Sequence, residues 1–520
     1  MMALQHASAR CWRLSHLLAG FAAAPFESDL RIERLTLDSR EAGPGALFLA
    51  CRGTRAHGLR YAEQAAERGC AAIAAEPDTL WGETDLARLS AELALPVVPI
   101  AHLSRRAAEI AARFFDDPSV DMPVIGITGT NGKTSVGHFL ACALATDTRC
   151  ALIGSLGIGF PGELSSMGLS TPDPIAVQEG LARLRAQGAD AVAMEVSSHA
   201  LDQGRVGAVH FSHAVFTNLS RDHLDYHGDM HRYAAAKRRL FRTPSLQWAV
   251  LNHDDAASAD ICAVLAPNVR VARYSVASDA RSRVSGLATD ADLWVQASAI
   301  TPLPLGLRVE IETSLGDGVL EVALIGRFNV SNLLAVLSVL LSGGLRLDAA
   351  LERLRHVRGV PGRMECFGGG DAPLVVVDYA HTPDALEQAI AHLRMHCGGR
   401  LLTVFGCGGE RDRGKRALMG AAAERLSDAV IITDDNPRGE DGDAICSEIL
   451  AGMVAPEWAV VERQRALAIR RAIALAGRGD AVLVAGKGQE TVQDMGELKV
   501  HFSDRAQVVQ ALTEWQGRGG

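Results

Sequence analysis

The chain has 520 residues, 48% hydrophobic and 22% charged, with a formal net charge of −9. That size and balance predict about three globular domains with ample cores, and the acidic sum argues against a general nucleic-acid binder, which needs a basic face. No apolar run approaches the ~18 residues of a membrane span, and the ten cysteines include no C-x-x-C pair, so neither a zinc site nor a disulfide framework is expected.

The opening stretch, MMALQHASARCWRLSHLLAGFAAAPF, is basic and partly apolar, but Ser15 and His16 interrupt it. It reads as a short extension into a first helix, and the protein as cytoplasmic. Residues 27–100 alternate short strands and helices. Leu35–Arg40 and Ala46–Gly58 read as strands that run into polar or basic loops, and Tyr61–Arg68 reads as a helix. Leu37, Ser39 and Thr54-Arg55-Ala56 fall at strand ends, where open α/β sheets place ligands. An amphipathic helix over Leu103–Phe115 and the pair Asp117-Pro118 lead into the next unit.

That unit opens with PVIGITGTNGKTS, Pro123 to Ser135. Val124, Ile125 and Ile127 make a buried parallel strand. The loop Gly129-Thr130-Asn131-Gly132 lets backbone N–H groups approach a phosphate chain, Lys133 reaches the β/γ-phosphates, and Thr134 offers a hydroxyl to Mg²⁺. A helix from Ser135 to Leu144 points its positive end at the phosphate. The usual first glycine is replaced by Ile127, but strand, loop, Lys-Thr and helix in order favour an ATP-type site over a plain Gly-rich turn.

Further on, Ala191–Leu201 and His213–Gly228 read as strands, and Asp229–Phe241 as a helix. Glu195, at a strand end beside the P-loop, suits a metal ligand, and His223 is a metal or phosphate candidate. Ala256–Gly318 reads as β-rich periphery and Asn329–Gly344 as an apolar helix ending on glycine. From Val360 a third βαβ unit begins, without G-x-G-x-x-G after its first strand. The expected fold class is α/β: a central P-loop domain (103–358) with a mainly parallel doubly wound sheet, a small N-terminal α/β domain (1–102) and a Rossmann-like C-terminal domain (359–520).

TGTNGKTS, MEVSSHAL, TNLSRDHLDYHG, the AAAK helix, GRFNVSN, PGRME, DYAHTPDAL, GCGGERDRGKR, DNPR and GKGQE follow one another over most of the chain. In this order the series resembles the Mur ligase family. The resemblance implies an ATP- and Mg²⁺-dependent ligase of peptidoglycan precursor synthesis. ATP phosphorylates the D-glutamate carboxylate of UDP-N-acetylmuramoyl-L-alanyl-D-glutamate, and the amine of meso-2,6-diaminopimelate attacks the acyl phosphate. It also implies catalytic roles for Lys133, Glu195, His223 and Lys237, the last as a carbamate formed with CO₂. Thr134, Glu195, His223 and Lys237 would then hold metal, while residues Gly129 to Ser135 with Asn329, Arg363 and Asp378 would hold ATP.

By the same resemblance, Leu37, Ser39, Thr54, Arg55 and Ala56 would hold uridine. Ser170, Thr171, Ser197, Gln203 and Arg205 would line the muramoyl dipeptide. Arg411, Asp435, Asn436, Pro437, Arg438, Gly486 and Glu490 would receive the amine. Diaminopimelate exceeds lysine by one carboxylate, which a bidentate arginine such as Arg438 selects, and Glu490 could pair with the distal ammonium. Ser135 in place of Thr and Gln489 in place of His depart from the pattern. The expected state is a monomer without nucleic-acid or membrane partners. A lysine-adding relative, a folylpolyglutamate-synthase-like ligase and a P-loop switch are the alternatives.

Overall fold

The structure is a computed structural model and describes residues 11–22, 29–53, 56–165, 170–276, 292–303 and 305–516. It divides into two compact units, one running to Tyr274 and the other from Leu293 to the C-terminus. Thr54 and Arg55 lie outside the described residues, as do parts of the opening stretch and of the expected β-rich periphery.

The first unit begins with a parallel sheet of four strands, in the order Arg34–Thr36, Ala46–Ala50, Ala72–Ala75 and Val97–Pro99. Its strands are short and almost wholly buried, so helices must cover both faces. The helix Leu103–Phe114 supplies one cover: Leu103, Ala107, Ile110, Ala111 and Phe114 enter the same core as Leu47 and Leu49. The expected strand 35–40 is shorter, because Asp38 caps a 3₁₀ turn over Ser39–Glu41.

The larger sheet of this unit is centred on Val124–Thr128, which pairs in parallel with Ala191–Glu195 on one side and Phe211–Phe216 on the other. The register sets Glu195 beside Ile127 and Phe216 beside Thr128, so their loops leave from one sheet edge. Two expected strands are too long. Ala191–Leu201 ends at Glu195, because the Ser197 hydroxyl accepts from the Ala200 N–H and starts a helical turn, Ser198–Asp202. His213–Gly228 ends at Phe216 and gives way to a loop and a short helix, Leu224–His227. The helix Met230–Arg238 follows, capped by the Asp229 carboxylate on the Arg232 N–H.

In the second unit, Leu293–Leu303, Gly306–Thr313 and Gly316–Val322 form an antiparallel meander. This agrees with the β-rich reading there. The start of that stretch differs in part: Ala257–Cys262 is a helix, while Arg270–Ser275 is a parallel strand. The helix Arg327–Ser342 is apolar nearly all round and correspondingly buried. Beyond it lies a six-stranded sheet, parallel except for its first strand, Glu365–Gly368. Buried valine, isoleucine and leucine runs with helices on both faces give it a doubly wound character. No described helix is long and apolar enough to cross a membrane.

Candidate active site

The P-loop leaves its strand through Gly129, whose φ of 151° and lack of side chain are both required, since a Cβ there would overlap Thr217 Oγ1. Gly132, at φ 85°, turns the chain into a helix that begins at Lys133, two residues earlier than expected. Two residues that sequence reasoning did not single out hold the loop. Asn218 accepts from the N–H groups of Thr130 (2.8 Å) and Asn131 (2.9 Å), and Thr217 donates to Asn131 O at 2.6 Å. Their only signal was a polar Thr-Asn pair directly after an apolar strand.

Lys133 Nζ donates to Gly129 O at 2.9 Å and Thr130 O at 2.8 Å. Lys237 Nζ donates to the same Gly129 carbonyl at 2.7 Å and stands 4.5 Å from the centre of the Tyr233 ring. Lys237 is only 2% exposed. Burial, with the Lys133 charge second, lowers its pKa from 10.5 to about 6, and Asp222 opposes the shift. The amine is therefore largely neutral at pH 7, which an amine must be to add to CO₂.

Glu195 is 5% exposed, and its carboxylate accepts from Ser155 N–H at 2.8 Å and Ser155 Oγ at 3.1 Å. Its carbonyl accepts from Thr171 Oγ1, which in turn accepts from Ser197 N–H. Gln203 receives the Arg205 guanidinium at 2.6 and 3.0 Å, and Arg205 also donates to Thr171 O at 2.8 Å. Thr171, Ser197, Gln203 and Arg205 thus form one hydrogen-bonded wall, with Ser170 next to it in the chain.

His223 sits at φ 52° with nearly half its side chain exposed and its ring 4.8 Å from that of His199. His199 also packs on Tyr226 and His227, and His227 bonds Ser198 Oγ at 3.0 Å. Burial lowers the His227 pKa.

Among the described residues no three His, Cys, Asp or Glu side chains converge as a metal cage. The donors at this sheet edge, the Thr134 hydroxyl and the Glu195 carboxylate, are hard oxygens. They suit Mg²⁺, which is commonly held by one or two carboxylates together with substrate phosphates.

A separate cleft of about 770 Å³ opens at the strand ends of the small sheet. Leu37, Ser39 and Ala56 line it, with Gly53, Gln64 and Asp173. Ser39 Oγ donates to Gln64 Oε1 at 2.6 Å.

In the second unit, strand ends gather the remaining candidates. Asp378 accepts from the N–H groups of Met364 and Ala380, each at 2.8 Å, and burial raises its pKa. The Arg363 guanidinium lies over Tyr379. The Asn329 side chain is spent locally, donating to Ile325 O just before its helix and accepting from Asn332 within it. Arg411 is exposed and donates only weakly, to Glu410 O at 3.3 Å.

Arg438 adopts φ 50°, donates from Nη1 to Gly409 O at 2.7 Å, and has Asp494 4.0 Å from its Nε. The Pro437 carbonyl presses on Gly409, where a Cβ would overlap it. Burial raises the Asp435 pKa, and Gly486, at φ 118°, leaves room for that carboxylate. Glu490, expected to meet an incoming ammonium, already receives Lys487 Nζ at 2.7 Å and Asn436 Nδ2 at 2.9 Å.

Fold and site together define a P-loop α/β protein with a buried neutral lysine at its phosphate loop and charged strand-end loops in a second Rossmann-like sheet. Three family descriptions match: "Mur ligase family, catalytic domain" over residues 31–115, "Mur ligase middle domain" over 127–340, and "Mur ligase, glutamate ligase domain" over 362–488. A UDP-N-acetylmuramoyl-L-alanyl-D-glutamate–2,6-diaminopimelate ligase from Alkalilimnicola ehrlichii is 48% identical over 97% of this chain and 99% of its own length. One of the same name from Coxiella burnetii is 47% identical over 93% and 96%. A solved structure bearing that ligase name is 31% identical, with a TM-score of 0.72 over 97% of this chain and 99% of its own. The chain belongs to the Mur ligase family.

Proposed function

We propose that this protein joins meso-2,6-diaminopimelate to the D-glutamate carboxylate of UDP-N-acetylmuramoyl-L-alanyl-D-glutamate, consuming ATP. The observation that carries this reading is the likeness of nearly the whole chain to relatives named for that reaction, at 46–48% identity. The geometry supports it at three points.

First, the P-loop with Lys133 is built to orient a triphosphate whose terminal phosphoryl group passes to a carboxylate oxygen. Residues Gly129 to Ser135 bind it. Second, a neutral Lys237 nitrogen can bond the carbon of CO₂ and release a proton, turning an ammonium position into a carbamate. Thr134, Glu195, His223 and that carbamate would hold Mg²⁺, which when bound supplies positive charge to the phosphate oxygens. Third, the wall of Thr171, Ser197, Gln203 and Arg205 offers donors to a peptide carboxylate, and the cleft at Leu37, Ser39 and Ala56 accepts a uridine.

The amine then attacks the acyl carbon of the glutamyl phosphate, a tetrahedral intermediate forms, and phosphate leaves as the amide closes. Arg438 offers a bidentate partner for the second carboxylate of diaminopimelate, with Arg411, the residues Asp435 to Pro437, Gly486 and Glu490 around it. The working domains are 1–102 for the nucleotide sugar, 103–358 for ATP and 359–520 for the amine, in a cytoplasmic monomer. Acceptor competition tests the reading. With diaminopimelate and L-lysine at equal concentration, product should carry diaminopimelate almost exclusively; preferential lysine addition would overturn the assignment of the amine.

A further inference from the structure

Lys487 was not among the candidates read from the sequence, yet it is a cation next to the amine-pocket residues with no exposed surface. Its three ammonium protons have three acceptors: Asn436 Oδ1 at 2.8 Å, Glu490 Oε2 at 2.7 Å and Val492 O at 2.9 Å. That is the full donor capacity of a lysine. The contact orients the Asn436 amide, because an oxygen facing Lys487 leaves the Nδ2 group to donate to Glu490 at 2.9 Å. Asn436 Oδ1 also accepts from Asp494 N–H at 2.9 Å, and Arg438 N–H donates to Asp494 O at 3.0 Å. One ammonium therefore ties together the segments carrying Asn436, Arg438 and Glu490.

The charge matters as well as the geometry. Glu490 keeps about a third of its side chain exposed, with one carboxylate oxygen held by Lys487 and Asn436. A carboxylate fixed in this way is preorganised, with its other oxygen left for a cationic group.

We propose that Lys487 is a positioning residue for the acceptor amine: it fixes the Asn436 amide and the Glu490 carboxylate in the orientation that receives the amino acid. This rests on the reading of the second unit's strand-end loops as the diaminopimelate site. Lys487 acts through Asn436 and Glu490 and has no direct contact with reacting atoms.

A double-mutant cycle on the full-length enzyme tests it, with folding checked by thermal unfolding. Lys487→Met should raise the KM for diaminopimelate by about tenfold or more, while those for ATP and the nucleotide-sugar peptide change by less than about twofold. In a Glu490→Gln background the same substitution should raise the diaminopimelate KM by a factor at least about threefold smaller, because one of the two groups it acts through is gone. That background also removes the carboxylate that the single variant leaves without its lysine partner, so the double variant gives a result even if the single one does not fold. Equal factors in both backgrounds, or equal rises for all three substrates, would overturn the proposal. Wild-type enzyme that fails to ligate diaminopimelate would instead overturn the functional reading on which it rests.

Discussion

Lys237 is the residue where burial and chemistry meet. Its folded-state pKa of about 6 lies below the ordinary 10.5, so between those values unfolding takes up a proton. In CO₂-free buffer the stability linked to this group is complete above about pH 10.5 and is lost as pH falls to about 6. The slope is at most about 1.4 kcal/mol per pH unit. Lys237→Met should remove that slope from denaturant-unfolding curves, and an unchanged slope would place the titration elsewhere. Lys237→Ala should be nearly inactive and partly rescued by short carboxylates that replace carbamate oxygens; an active, unrescued variant would rule out the carbamate.

Arg438 belongs to the same scale. Its guanidinium has one firm hydrogen bond, to Gly409 O, and a distant carboxylate in Asp494, so donors remain for a ligand. Arg438→Ala should lower kcat/KM for diaminopimelate by about 2–4 kcal/mol in transition-state terms, because a substrate carboxylate loses its charged partner. Wild-type kcat/KM in that variant would show that the pocket lies elsewhere.

At the scale of elements, the phosphate loop depends on a close approach of two strand ends. Gly129 lies against Thr217, so Gly129→Ala must displace the loop or the Thr217 segment. A shift of that kind should lower kcat/KM for ATP by about 10²-fold with little loss of the surrounding fold. Isotope-exchange or steady-state kinetics would show it, and unchanged ATP kinetics would mean that the loop does not cradle the triphosphate.

Strands such as Val124–Thr128 and Leu374–Asp378 were legible in the sequence because they are compact β-branched runs bounded by glycine or polar residues. The turns after them were not. Ser198–Asp202 and Leu224–His227 are too short for helical periodicity to emerge, and their start is set by single caps or left-handed residues such as His223. Lys487 was hidden for another reason: Glu490 is only three residues on and locally unremarkable, while Asn436 is 51 residues away in the chain and is brought close by the sheet topology.

For the whole molecule, the central claim is that phosphoryl transfer from ATP is tied to growth of the muramoyl peptide by one amino acid. The most direct measurement is mass spectrometry of the nucleotide product, with ADP release followed in parallel. The purified protein is supplied with ATP, Mg²⁺, UDP-N-acetylmuramoyl-L-alanyl-D-glutamate and meso-2,6-diaminopimelate. The predicted result is a nucleotide peptide heavier by one diaminopimelate residue, formed in step with ADP and dependent on both substrates. ADP release at an unchanged rate without the peptide or the amine, and no heavier product, would contradict it.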